Sequence, residues 1–164
     1  VTLCQWVALA VALQRLAELI HAERNNRRLL AAGGEETGRG HYPLLVLVHV
    51  GWLAALFFLV PADAPVYLSL LALYGLLQIA RLWVILSLGR YWTTRVISVP
   101  GAPLVRKGPY RFLRHPNYLV VAAEVAVLPL AFGAWQIALV FSLLNGAVLW
   151  QRIRVENAAL AART

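Results

Sequence analysis

The sequence predicts an all-α integral membrane protein with five transmembrane helices, a cytoplasmic binding loop and a short C-terminal helix. Three observations carry that prediction. First, 61% of the 164 residues are hydrophobic and 13% are charged, with a mean hydropathy of +0.69; a soluble domain is nearer to about half apolar and about a quarter charged. Second, the apolar residues fall into five long runs rich in Leu and Ala, without the alternation of a strand. Third, the connections between these runs alternate between basic and non-basic. The length fits one domain, residues 1–164.

The runs cover about 2–20, 42–60, 66–88, 117–132 and 135–150. A membrane span takes ~20 apolar residues, within ~17–25, and the second and third runs meet this directly. The fourth and fifth are short, and each alone reads as a buried core helix. "AFGAW" joins them as a tight helical hairpin, able to cross a locally thinned bilayer. The first run has no basic residue before it and is interrupted by Arg15 and Glu18, so it reads as a span and not as a signal peptide. The chain contains no methionine, so Val1 is not expected to be the natural start. Residues 31–40, "AAGGEETGRG", read as a flexible link, and 151–164 as an amphipathic tail helix in which Arg152 and Glu156 either form a surface i, i+4 ion pair or belong to a helix folded over the 100–118 loop that closes a pocket.

Charge sets the orientation. Arg24, Arg27, Arg28 and Arg39 lie in the first connection, and "PADAP" in the second has one acid and no base. The segment 89–116 holds Arg90, Arg95, Arg106, Lys107, Arg111 and Arg114. "AFGAW" is uncharged, and the tail carries Arg152, Arg154 and Arg163. The positive-inside rule then puts the N-terminus outside and the C-terminus in the cytoplasm. Trp6, Tyr42, Tyr67, Tyr91, Trp92, Trp135 and Trp150 lie near the predicted span ends, as an aromatic belt does. The net charge of +8 is dispersed between apolar runs, which argues against nucleic acid as a partner and for membrane lipids. The single Cys4 excludes an internal disulfide. His21, His41, His49 and His115 are scattered, with no carboxylate cluster that suggests a metal.

Chemistry concentrates in 89–116. Pro100, Pro103 and Pro109 with Gly101 and Gly108 exclude a regular helix there, so the backbone is irregular close to the membrane and fits a structured binding loop. Pro116 suits the first position of a helix. That puts His115 near the cap, beside free amides that attract an anion. Arg111 and Arg114 add forked donors for a carboxylate or phosphate, or for lipid headgroups. Inside the runs lie Arg15, Glu18, His49, Gln78, Arg81, Glu124 and Asn145. Ionisable residues at that depth are functional candidates by default. Arg15 and Glu18 pair along one face. Glu124 lies nine residues beyond His115, ~13 Å down the helix, and Arg81 is its candidate partner. Arg81, Glu124 and His49 are candidates for substrate binding. Asn145 is either glue between helices or part of a cofactor pocket.

The run "LVRKGPYRFLRHPNYL", followed by a helical hairpin and "RIRVEN", resembles the isoprenylcysteine carboxyl methyltransferase family. "GRYWTTRVISVPGAPLV" and "ELIHAERNNRRLLAAGGEETGRGHYP" look like its bacterial branch related to alkylpyrone O-methyltransferases. The core motif is G-x-Y-R-x-x-R-H-P-x-Y. The resemblance implies an integral enzyme of the bacterial cytoplasmic membrane that uses S-adenosylmethionine and a lipophilic small-molecule acceptor, without a metal. It implies that Leu104, Val105, Gly108, Tyr110, Arg111, His115, Pro116, Tyr118 and Asn145 build the cofactor pocket. The resemblance also implies that Glu156 closes that pocket; Arg114 and Glu156 are the candidate catalytic residues, with Arg114 expected to orient the acceptor oxygen. Family members show two adjacent acids where this chain has Glu156 and Asn157. Motif kinship also extends to membrane reductases that use a nicotinamide dinucleotide, and the basic loop also suits a lipid-binding scaffold.

Overall fold

The computed structural model describes residues 1–161. Five helices carry it: α1 (Leu3–Ala31), α2 (Tyr42–Leu59), α3 (Leu68–Leu88), α4 (Pro116–Ala131) and α5 (Trp135–Ala161). Four of them are long and apolar enough to cross a membrane, whereas α4 is a shorter apolar helix of 16 residues. Around the bundle α1 packs on α2, α2 on α5, α5 on α4 and α4 on α3. Long polar side chains then bridge α3 and α4 back to α1. One apolar core runs through this ring, with Cys4, Ala8 and Val11 of α1 meeting Trp52 and Leu56 of α2 and Val125 and Leu128 of α4.

The helix ends follow local chemistry. Thr2 and Gln5 form a reciprocal capping box at the start of α1. Pro116 opens α4 where its missing amide costs nothing. The α4–α5 hairpin turns at Gly133, whose φ of 67° is open to glycine at little cost. Tyr67 N–H donates to Ala131 O at 2.8 Å and ties the start of α3 to the end of α4.

The structure departs from the sequence-based expectation in three places. The first helix does not stop near residue 20 but continues to Ala31. Its polar half, with a Glu23–Arg27 pair at 3.2 Å, remains helical after the hydropathy falls. The link at 31–40 is not wholly irregular. Glu35–Thr37 forms β1, which pairs antiparallel with β2 (Val96–Ser98), Glu35 opposite Ser98 and Thr37 opposite Val96. The tail is not a separate helix. Nothing between Trp150 and Gln151 breaks the backbone, and α5 runs unbroken for 27 residues. Arg163 lies outside the described residues.

The aromatic belt also needs one correction. Trp6, Tyr67, Trp135 and Trp150 are exposed along the apolar helices, as an interfacial ring would be, but Trp92 is buried. Its ring stacks on His21, 5.8 Å between centroids.

Candidate functional site

Two polar clusters stand out, one in a cavity at the end of the bundle that carries 89–115 and one inside the bundle. The cavity is about 610 Å³, within the usual range for a small-molecule site. One wall is Tyr91, Trp92, Thr93 and β2; a second is Leu104–Arg106 and Tyr110–His115; the third is Asn117 and Tyr118 of α4. Arg152, Glu156 and Asn157 of the last turns of α5 close it.

Of the residues expected from the sequence, Leu104, Val105, Tyr110, Arg111, Arg114, His115, Tyr118 and Glu156 line this cavity. Gly108 and Pro116 do not line it; they shape the backbone behind it. Gly108 has φ +56°, and a Cβ there would sit 2.1 Å from Ser87 Oγ, so the loop lies directly on the end of α3. Pro116 is buried at the start of α4.

His115 is the N-cap residue of α4, but its side chain does not cap the helix. Its Nε2 is 2.9 Å from Asn157 Oδ1, and its Nδ1 is 3.9 Å from Glu156 Oε1. The Tyr118 hydroxyl donates to Glu156 Oε2 and accepts from Arg152 Nε at 2.9 Å. Arg152 is buried. It reaches Glu156 through the tyrosine hydroxyl rather than by the surface ion pair expected from i, i+4 spacing. Burial, and then the charge of Glu156, push the Tyr110 hydroxyl above the ordinary tyrosine value, so Tyr110 remains a neutral donor.

Charge in the cavity is lopsided. Glu156 is the one carboxylate among its lining residues, against Arg95, Arg106, Arg111, Arg114 and Arg152. Arg95 faces Glu36 at 3.6 Å and Glu23 at 3.9 Å. Arg106, Arg111 and Arg114 are exposed and make no ion pair among the described residues. Phe112 and Leu113, also exposed, lie between two of these guanidinium groups.

The second cluster is a closed network inside the bundle. Glu124 of α4, fully buried, accepts from Arg15 Nη2 at 2.7 Å, Arg81 Nη1 at 3.3 Å and Gln78 Nε2 at 2.8 Å. Glu18 accepts from Arg15 at 3.0 Å and from two atoms of Arg81 at 2.7 and 2.5 Å. Gln14 bridges Glu18 and Gln78. The expected Arg15–Glu18 and Arg81–Glu124 pairs are both present, but they are halves of one network with two cations and two anions. Arg81 and Glu124 therefore spend their polar atoms on each other and on α1, and neither lines the cavity. His49 bonds the Leu45 carbonyl of its own helix at 2.9 Å, and Asn145 is buried away from the cavity lining.

Sequence reasoning offered the tail helix folded over the loop, and Arg152, Glu156 and Asn157 do line the cavity with loop residues; it missed that Arg152 bonds Tyr118 and that Asn157 bonds His115. It also missed Gln14, although its spacing of four from Glu18 is a usable signal.

The sequence model of the isoprenylcysteine carboxyl methyltransferase (ICMT) family matches residues 70–162, which holds the whole G-x-Y-R-x-x-R-H-P-x-Y motif, α4 and the closing residues of α5. The chain is also similar to YpbQ of Bacillus subtilis (strain 168), described as an uncharacterized protein. The two are 36% identical over 160 residues, covering 94% of this chain and 95% of the relative. No solved structure matches it significantly. With four helices able to cross a membrane and the family match over more than half its length, the chain belongs to the isoprenylcysteine carboxyl methyltransferase family and is an integral membrane protein of the methyltransferase class.

Proposed function

We propose that the protein is an S-adenosylmethionine-dependent O-methyltransferase acting on a lipophilic, membrane-partitioned acceptor whose oxygen is acidic: a carboxylate, or an enol or phenol such as an alkylpyrone. The observation that carries this reading is the cavity's charge, one fixed carboxylate and three guanidinium groups without an ion pair among the described residues, beside exposed Phe112 and Leu113. The lining fits the cofactor's amino-acid end. Glu156, held by Tyr118, suits an ammonium group, and Arg111 with the Tyr110 hydroxyl suits a carboxylate. When bound, S-adenosylmethionine supplies a methyl group on a sulfonium sulfur.

The protein's part is alignment and exclusion of water, the main sources of rate in a displacement between two held reactants. Arg114 orients the acceptor oxygen. An acceptor that arrives as an anion needs no general base, which agrees with a cavity whose one lining carboxylate is already engaged. Arg114 is solvent-exposed, so it steers the oxygen without neutralising it, and the oxygen keeps its nucleophilicity. The acceptor's hydrocarbon part extends past Leu104, Phe112 and Leu113 into the bilayer.

The alternation of basic connections supports five crossings, α4 included, with the cavity on the cytoplasmic side of a bacterial inner membrane. The α4–α5 hairpin lets the short α4 cross where the bilayer thins.

A basic rim also suits the phosphates of a nicotinamide dinucleotide, so the test compares both ligands. Purified protein is titrated with S-adenosylhomocysteine and with NADPH while thermal stability is followed; a ligand that binds the folded state raises it. Stabilisation by S-adenosylhomocysteine alone is the expected result. Stabilisation by NADPH alone replaces this reading with a reductase, and stabilisation by neither leaves a lipid-binding scaffold.

A further inference from the structure

Between the 3-10 turn Gly89–Tyr91 and β2, residues 92–95 of the cavity wall have no regular structure of their own. Something else must hold them. Trp92, at their start, is buried, yet its indole N–H has no hydrogen-bond partner among the described residues, so the indole's own polar group does not set its position. The anchors come from α1, beyond the point where its apolar run ends. Asn25 is 2% exposed. Its Nδ2 lies 2.8 Å from Trp92 O and 3.2 Å from Gly89 O. One carboxamide nitrogen has two N–H groups; its two shorter contacts are these carbonyls, each more than sixty residues further along the chain, and a longer one, 3.4 Å, runs to His21 Nε2. His21, one turn earlier on α1, stacks on the Trp92 ring. Glu23 and Glu36 face Arg95, and β1 pairs with β2.

We propose that Asn25 is a positioning residue for the cavity: it fixes the Gly89 and Trp92 carbonyls so that Tyr91, Trp92, Thr93 and β2 stand as a ligand-binding wall. The functional arm of this inference rests on the methyltransferase reading; the structural arm does not. Asn25 lies outside the segment that matches the family model, so part of the site is built by the N-terminal third of the chain. Neither backbone carbonyl can be mutated away, and a buried carbonyl left unpaired is costly. The amide of Asn25 is therefore the replaceable half of the contact.

The neighbouring Asn26 supplies a matched control. It is equally buried, at 2% exposed, but its Nδ2 bonds Glu23 of its own helix and reaches the wall only through the long Glu23–Arg95 contact of 3.9 Å. Asn25→Asp is nearly isosteric and removes both donors. Amide hydrogen exchange over 89–98 and affinity for S-adenosylhomocysteine are measured for Asn25→Asp and Asn26→Ala beside the unaltered protein. The expected result is faster exchange across 89–98 and about tenfold weaker binding in Asn25→Asp, the scale of one lost buried hydrogen bond. Asn26→Ala, even if thermally weakened, should keep native exchange in that segment and native affinity. Native exchange in Asn25→Asp, or the same loosening in Asn26→Ala, overturns the proposal. Should Asn25→Asp fail to fold, Asn25→Ser carries the test, because it withdraws the amide from both carbonyls without adding a charge; it should speed exchange across 89–98, and native exchange there overturns the proposal. If the unaltered protein itself ignores S-adenosylhomocysteine, the methyltransferase reading fails while the exchange comparison still decides the role of Asn25.

Discussion

Replacing Glu124 with Leu tests the network that joins α1 to α3 and α4. Arg15 and Arg81 balance Glu18 and Glu124, so the wild-type cluster is neutral. Removing Glu124 takes away three hydrogen-bond acceptances and leaves one uncompensated positive charge. Breaking a buried ion pair from one side costs ~3–5 kcal/mol. Removing a balanced pair costs much less, since well-packed apolar residues of similar size often replace such a pair at little penalty. The double variant Arg15→Leu, Glu124→Leu keeps the close Arg81–Glu18 pair, with contacts of 2.7 and 2.5 Å, and restores neutrality. Its loss should therefore fall below that of Glu124→Leu alone, with a coupling of about 2 kcal/mol or more between the two positions. Reversible unfolding in mixed micelles, titrated with denaturing detergent, measures all the corners of the cycle. A Glu124→Leu variant within about 1 kcal/mol of wild type, or additive losses, would refute the claim that charge balance holds these helices.

Three further outcomes follow from the cavity. Gly108→Ala places a Cβ 2.1 Å from Ser87 Oγ at φ +56°, so thermal stability should fall by about 2–4 kcal/mol, from left-handed strain together with overpacking; pairing it with Ser87→Gly should restore the packing part only. Glu156→Gln keeps the shape but removes the charge that Tyr118 donates to, and calorimetry should show affinity for S-adenosylhomocysteine weaker by about tenfold or more. Tyr110 retains its proton in the folded state above the ordinary value of 10.0, while the unfolded chain loses its proton there. Stability contributed by this group is thus complete below pH 10 and declines as pH rises further, an effect that Tyr110→Phe should abolish in alkaline unfolding curves.

Much of the fold was legible in the sequence because its strongest signals are local. Five apolar runs became five helices, Gly133 turned the hairpin, and Pro116 opened α4. What escaped depends on contacts distant in sequence. Hydropathy ends α1 near residue 20, yet the helix continues to Ala31, and in that extension Asn25 meets carbonyls at Gly89 and Trp92. Strands of three residues, such as Glu35–Thr37, are too short for any alternation to register. In the site, Leu104, Val105, Tyr110, Arg111, Arg114, His115 and Tyr118 line one cavity, whereas Gly108 and Pro116 shape the backbone behind it. A helical tail over the loop was one of the two sequence readings, but the burial of Arg152 and the Asn157–His115 bond did not follow from spacing, which leaves open the face of the helix that meets the loop. Arg81 and Glu124 were correctly singled out as expensive. Their closed bonding with Gln14, Arg15 and Glu18 shows that the expense is met by neighbours on other helices.

The most direct test of the central claim is transfer of label. Membranes containing the protein are incubated with S-adenosylmethionine labelled in its methyl group, and the organic-soluble fraction is counted and resolved by mass spectrometry. The account predicts a labelled amphiphile carrying one added methyl on oxygen, formed by the unaltered protein and lost with Glu156→Gln. Label absent from the lipid fraction with every class of acidic amphiphile supplied, or transferred equally by Glu156→Gln, would contradict it.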